Sequence, residues 1–133
     1  MGNILGRYII LLTHGSWGIE CLKSAEMIIG DVDRVKAYPL NPEDNLDQYR
    51  TGILEMLKEQ KIEKAIFLSD LKCGSTSQAA SYLAYMTGGI AMSGLNLALL
   101  ISAVRNRDVQ NDELPGVMLE EGKNDISDIR FTG

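Results

Sequence analysis

Short apolar runs alternate along this chain with longer segments in which apolar residues recur at helical spacing. A strand, one helix and the next strand of the same sheet form a right-handed crossover, so successive strands run parallel. The runs "YIILLT" at residues 8–13 and "AIFLS" at residues 65–69 are continuously apolar, which is typical of strands that helices cover on both faces. The pattern therefore predicts a doubly wound, mainly parallel α/β sheet.

The alternation predicts four strands with helices on both faces of the sheet, and we expect the flavodoxin-like strand order 2-1-3-4. The strands are expected at residues 8–13, 32–38, 65–69 and 90–92, and the helices at residues 17–29, 46–57, 76–86 and 97–104. The sequence after Asp108 is less regular. There "ELPGVMLEEG" is compatible with a helix and "DISDIRF" with a final edge strand.

Length and composition limit the function classes. At 133 residues the chain forms one domain, residues 1–133, and its 45% hydrophobic and 23% charged residues are typical of a globular protein. The net charge of -5 argues against nucleic acid or an anionic membrane as the main partner. Cys21 and Cys73 lack CxxC spacing and are expected to be free thiols in a reducing cytoplasm. No signal peptide or membrane span is apparent, so we expect a cytoplasmic protein.

The chain's one histidine, His14, follows the first predicted strand, and Asp70 follows the third. In an open parallel sheet, reacting groups collect beyond the carboxyl ends of the strands, and this strand order makes those two ends neighbours. A carboxylate beside an imidazole fixes the tautomer, so that one ring nitrogen donates to the carboxylate and the other keeps a lone pair. We therefore predict that His14 is a nucleophile and that Asp70 orients it.

Each residue also has a purely structural interpretation. A histidine can simply bond a backbone carbonyl at the end of a strand, and an aspartate can simply precede a helix. A third feature favours chemistry: Gly74 permits a tight turn, and Ser75 with Gln78 has capping-box spacing at the start of a helix. Helix amino termini bind anions, including phosphoryl groups. Together these residues suit reversible phosphorylation of a histidine nitrogen.

Other chemistries have little support in the sequence. "THGSWG" lacks the G-x-S-x-G form of a hydrolase nucleophile elbow, and neither a Walker loop nor G-x-G-x-x-G is present. One histidine and two separated cysteines do not make a metal site, and no cofactor is implied.

Four segments, in this order, resemble enzyme IIA of the mannose family of the bacterial phosphoenolpyruvate-dependent sugar phosphotransferase system. The resemblance covers most of the chain and fades after Asp108. The matching segments are "IILLTHGSWG", "LKSAEMIIG", "IFLSDLKCGSTSQAAS" and "GLNLALLISAVRNRD".

The resemblance implies a role for each site residue. His14 would accept a phosphoryl group on Nε2 from the phosphocarrier protein HPr and pass it to a IIB component, which serves the membrane components IIC and IID. Asp70 would orient the other ring nitrogen, and the hydroxyls of Thr13 and Ser75 would lie near the phosphoryl group. The family also implies a homodimer in which a C-terminal strand crosses to the partner. Residues 109–133 are the candidate exchange segment, with "DISDIRF" as its strand.

This sequence departs from the family in the loop after the third strand. The usual loop reads close to D-L-x-G-G-S-P, whereas Cys73 stands here for the first glycine and Thr76 for the proline. The transported sugar stays open, because IIA does not touch it. Two other functions also stay open: a regulatory or interaction module that signals by its phosphorylation state, and the phosphoryl donor of a dihydroxyacetone kinase system.

Overall fold

A computed structural model describes residues 6–132 as four parallel strands and five helices. The sheet order is β2-β1-β3-β4, which confirms the predicted doubly wound α/β architecture. The elements are β1 (Ile9–His14), α1 (Trp17–Ile29), β2 (Val35–Leu40), α2 (Leu46–Glu59), β3 (Ile66–Ser69), α3 (Ser75–Thr87), β4 (Ile90–Met92), α4 (Leu97–Arg105) and α5 (Leu114–Asn124).

The two central strands, β1 and β3, are buried on both faces because each face of the sheet carries its own core. Ile10, Leu12 and Phe67 pack against α2 and α3. Their neighbours in sequence, such as Leu11 and Leu68, point the other way toward α1, α4 and α5. Each such side chain contributes about 1.5–3 kcal/mol through its burial. The continuous apolar runs of the sequence therefore place β1 and β3 at the centre of the sheet.

Strand β2 begins later than predicted and contains a proline. The chain still turns at Arg34, whose φ of 58° is left-handed, so the strand spans Val35–Leu40 instead of residues 32–38. Pro39 lies opposite Thr13 within the strand, one residue beyond the predicted end. This is allowed because β2 is an edge strand, where the missing N–H of proline costs no sheet hydrogen bond.

Helix α3 does not have the predicted capping box. Its N-cap is Gly74, which makes no side-chain hydrogen bond, and Ser75 is already the first helical residue. The Gln78 N–H donates to the Gly74 carbonyl at 3.1 Å, as an ordinary helix bond. The capping-box prediction is therefore wrong, because the Ser75 hydroxyl comes one residue too late to cap the helix.

The C-terminal part of the chain contains one predicted element and lacks another. The helix suggested by "ELPGVMLEEG" is present as α5, which packs on α4. Residues 125–132 form neither helix nor strand, so "DISDIRF" does not add a strand to this chain's own sheet. Exchange of that strand with a second copy stays a prediction. In residues 6–132, no helix is both long enough and apolar enough to cross a membrane.

Two glycines should respond oppositely to alanine because their surroundings differ. A Cβ at Gly89 would lie 2.2 Å from the backbone oxygen of Ala65, whereas a Cβ at Gly52, inside α2, meets nothing within 4 Å. We expect Gly89→Ala to lower the free energy of unfolding by about 2 kcal/mol through overpacking. We expect Gly52→Ala to raise it by about 1 kcal/mol through helix propensity. Urea unfolding of both variants measures the contrast, and equal effects would contradict this packing of β4 on β3.

Candidate active site

His14 and Asp70 lie together at the carboxyl edge of the sheet. His14 is the last residue of β1, and Asp70 directly follows β3. The two strands are hydrogen-bonded neighbours in which Leu12 lies opposite Ser69, so the chains leave the sheet side by side. The strand order thus brings together the two side chains that the sequence places 56 positions apart.

The Asp70 carboxylate binds both the ring and the backbone of His14. Nδ1 lies 3.1 Å from Oδ1 and 3.1 Å from Oδ2, and the His14 backbone N–H donates to Oδ2 at 2.8 Å. With the carboxylate as acceptor, Nδ1 is the protonated nitrogen and Nε2 keeps its lone pair. The histidine side chain is 49% exposed and that of Asp70 is 8% exposed, so the ring faces solvent while the carboxylate lies beneath it.

Two further donors act on the same carboxylate. The Thr76 hydroxyl donates to Oδ1 at 2.7 Å, and the Trp17 indole N–H donates to Oδ2 at 3.3 Å. Burial raises the pKa of Asp70, but the hydrogen bonds from His14, Thr76 and Trp17 outweigh it and lower the pKa to about 2. Asp70 is therefore an anion at neutral pH.

The Thr13 hydroxyl stabilises the turn that follows His14. The Thr13 hydroxyl donates to the Gly15 carbonyl at 2.8 Å and accepts from the Gly18 N–H at 3.3 Å. Gly15 has a left-handed φ of 69°, and its N–H donates to the Leu40 carbonyl at 2.8 Å. Thr13 is buried, so this hydroxyl fixes the turn from inside the protein.

The amino terminus of α3 lies against the imidazole. Gly74 has φ 150° and ψ -178°, a region that is essentially open to glycine alone, and a Cβ there would lie 3.8 Å from His14 Cε1. Ser75 follows as the half-buried first residue of the helix. The first backbone N–H groups of a helix have no partner within it, so this end offers donors to an anion beside the ring.

The structure thus brings His14, Asp70, Gly74 and Ser75 to one edge of the sheet. The Thr13 hydroxyl is engaged inside the turn, and its predicted proximity to a phosphoryl group stays a prediction. Sequence reasoning missed the contacts that Trp17 and Thr76 make with Asp70. Thr76 stood out only as a departure from the family's proline, and no spacing rule connects Trp17 to Asp70. In residues 6–132, no three His, Cys, Asp or Glu side chains form a group that could hold a metal ion.

The structure is a doubly wound α/β sheet that holds a histidine, oriented by an acid, at its carboxyl edge. Residues 8–116 match the family model described as PTS system fructose IIA component. The chain therefore belongs to the mannose-type IIA family of the sugar phosphotransferase system, as the sequence predicted.

Known proteins agree with this assignment. The mannose/sorbose-specific IIA subunit of the phosphotransferase system from Enterococcus faecalis superposes with a TM-score of 0.84 at 28% identity, covering 96% of this chain and 97% of that one. Phosphotransferase system component EIIA from Streptococcus agalactiae gives a TM-score of 0.78 at 26% identity, covering 91% of this chain and 95% of that one. The mannose-specific EIIAB component of Escherichia coli is 26% identical over 129 residues, which cover 92% of this chain but only 39% of that protein.

The low pKa of Asp70 predicts a pH-dependent contribution to stability. An unfolded aspartate has a pKa of about 3.9, so the contribution is complete above that value and is lost as the pH falls through about 2. We expect Asp70→Asn to be less stable than the parent at pH 7 and to lose less stability between about pH 4 and pH 2. Urea unfolding across this range measures the difference.

Asp47→Asn is the matched control, because Asp47 is an exposed partner of Arg50 on the surface of α2. It should keep the parent's acid dependence. If the stability of Asp70→Asn fell as steeply as that of the parent between about pH 4 and pH 2, the four donors would not be lowering the pKa of this carboxyl.

Proposed function

We propose that this protein is a phosphoryl carrier, which accepts a phosphoryl group on His14 Nε2 from HPr and passes it to a IIB component. The main support for this proposal is the contact of Nδ1 with both oxygens of Asp70, which leaves Nε2 as the nucleophilic nitrogen. The half exposure of the ring supports the proposal, because the donor and the acceptor must both reach the same atom. Family membership supports the reaction class.

Transfer is a displacement at phosphorus between two histidines. The Nε2 lone pair forms the new P–N bond as the bond to the donor's histidine nitrogen breaks, and that electron pair returns to the donor. The proton on Nδ1 stays in place and is shared with the Asp70 carboxylate, which stabilises the positive charge that develops on the ring. Positioning and electrostatics supply most of the catalysis in such transfers.

The amino terminus of α3 is the proposed cradle for the transferred group. Gly74 lies beside His14 Cε1, the ring carbon that is bonded to Nε2. The helix dipole and the first amide N–H groups favour the negative oxygens of a phosphoryl group there. We assign the Ser75 hydroxyl and the Gly74 backbone to this cradle, since both stand at the start of α3.

His14→Ala should abolish acid-labile labelling by phosphorylated HPr, because the only imidazole of the chain is removed. Asp70→Asn keeps the nucleophile but weakens its orientation, so its labelling should slow by about 10–100-fold without being lost. Radiolabelled transfer from HPr measures both variants, with circular dichroism to verify folding. Undiminished labelling of His14→Ala would place the phosphoryl group elsewhere.

Discharge of the labelled protein separates the carrier from the other functions that the sequence leaves open. Phosphorylated protein is mixed in turn with a IIB component and with a dihydroxyacetone kinase. Loss of label to IIB alone supports the carrier, and loss to the kinase alone supports the second system. A label stable against both would favour a module that signals by its phosphorylation state.

The proposed partners include, indirectly, the membrane components IIC and IID. A IIB component would use the phosphoryl group on a sugar that enters through IIC and IID. The chain spans 39% of the length of the Escherichia coli EIIAB relative, so the activity and sugar of that whole protein are not carried over to it. We place the carrier in the cytoplasm, because Cys21 and Cys73 are free thiols, as is usual in a reducing compartment.

We also propose that the chain forms a homodimer by exchange of its C-terminal segment. Within residues 6–132, β4 pairs only with β3, so its other edge is open to a strand. Met92, Pro115 and Leu119 line a mostly apolar groove beside that edge. Residues 126–131 contain apolar side chains that are largely exposed, including Ile129 and Phe131, which a partner's groove would cover.

The exchange predicts that Phe131→Asp shifts the protein toward monomer, because a carboxylate cannot be buried unpaired in an apolar groove. Met27→Asp is the matched control, since Met27 is comparably exposed but lies on α1. Sedimentation velocity over a concentration series measures the association constant. A parent protein that sediments as a monomer throughout would overturn the dimer, while leaving the carrier function intact.

A further inference from the structure

The Asp70 carboxylate is held from two sides by side chains that never touch the reactive nitrogen. Oδ1 accepts from the Thr76 hydroxyl at 2.7 Å. Oδ2 accepts from the His14 backbone N–H at 2.8 Å and from the Trp17 indole N–H at 3.3 Å. With one oxygen tied to α3 and the other to β1 and α1, the carboxylate plane cannot rotate freely, and Nδ1 meets both oxygens at the same distance of 3.1 Å.

Thr76 is the inner of these two side chains. It is fully buried at the second position of α3, and its hydroxyl has no access to water that could replace Asp70 as a partner. Trp17 is the outer one, because it is 41% exposed and its bond to Oδ2 is longer. A short bond from a buried hydroxyl orients a carboxylate more firmly than a long bond from an exposed indole.

We propose that Thr76 is a positioning residue for phosphoryl transfer: its hydroxyl orients Asp70, and through Asp70 it keeps the proton of His14 on Nδ1 and the lone pair on Nε2. Trp17 supports the same orientation from the solvent side. The expected effect on the transfer rate rests on the proposed carrier function. The expected effect on the His14 tautomer does not depend on any transfer.

The proposal explains why the threonine is compatible with this site. Thr76 is the second residue of α3, in the first turn, where the backbone N–H groups have no partner within the helix. From this position its short hydroxyl side chain reaches back to Asp70, the residue before the loop. The loop from Leu71 to Gly74 returns the chain so that Thr76 faces Asp70, six positions earlier. A side chain without a donor here would leave Oδ1 with Nδ1 as its remaining contact.

The test uses the single histidine of the chain. Because no other imidazole is present, 15N-histidine labelling gives two ring nitrogens that belong to His14 alone. Their chemical shifts, read where the ring is neutral, report how the proton is divided between Nδ1 and Nε2. The variants are Thr76→Val, which removes the hydroxyl at similar volume, and Thr76→Ser, which keeps it.

We expect Thr76→Val to move proton density from Nδ1 toward Nε2 and to slow labelling by phosphorylated HPr about tenfold. Thr76→Ser should restore both the tautomer and most of the rate. Trp17→Phe should shift the tautomer in the same direction by less. Thr87→Val is the matched control, because it removes a hydroxyl from the last turn of the same helix, where the hydroxyl donates to the Leu83 carbonyl at 2.7 Å.

An unchanged tautomer in a folded Thr76→Val protein overturns the proposal, whatever happens to the rate. An equal shift in Thr87→Val overturns it as well, since the effect would then be one of helix stability. If Thr76→Val does not fold, Thr76→Ala is measured against Thr76→Ser instead. If the parent is never labelled by HPr, the carrier function fails, and the nitrogen shifts still decide the role of Thr76.

Discussion

The arrangement of this site depends on one buried anion, the carboxylate of Asp70. Its side chain is 8% exposed, and its pKa is held low because the Thr76 hydroxyl donates to Oδ1, while the His14 backbone N–H and the Trp17 indole N–H donate to Oδ2. Without these donors, desolvation would raise the pKa of this carboxyl and weaken it as the acceptor for Nδ1. The same hydrogen bonds that offset its desolvation also set its direction, so the charge and the orientation of the site have a single physical origin.

The scaffold around the carboxylate supplies rigidity rather than further charge. His14 and Asp70 lie at the carboxyl ends of the neighbouring strands β1 and β3. Both strands are buried on two faces, so their ends have little freedom to move. Two glycines then adopt backbone conformations that other residues rarely take: Gly15 in the turn after His14, with φ 69°, and Gly74 at the head of α3, with φ 150°. Trp17 of α1 and Thr76 of α3 both donate to the carboxylate that orients the His14 ring.

The sequence predicted the eight elements up to residue 105, because apolar runs and helical spacing are local patterns. The pairing of His14 with Asp70 followed from those strand ends only with the expected strand order 2-1-3-4, which the structure has. It missed what depends on contacts between distant segments. Pro39 is part of β2 only because that strand is an edge. Arg7 is buried because its guanidinium donates to the backbone carbonyls of Lys64, Arg107 and Val109, and no pattern near residue 7 shows this.

The sequence by itself determined the class of fold and singled out one candidate for the reactive group, His14. Hydrophobic periodicity is set by the chemistry of neighbouring residues, and one histidine at a strand end leaves few alternatives. Only the tertiary structure decided how the acid is oriented. Hydrogen bonds require that donor and acceptor are in direct contact, and whether Thr76 and Trp17 come that close to Asp70 depends on how α1 and α3 pack on the sheet.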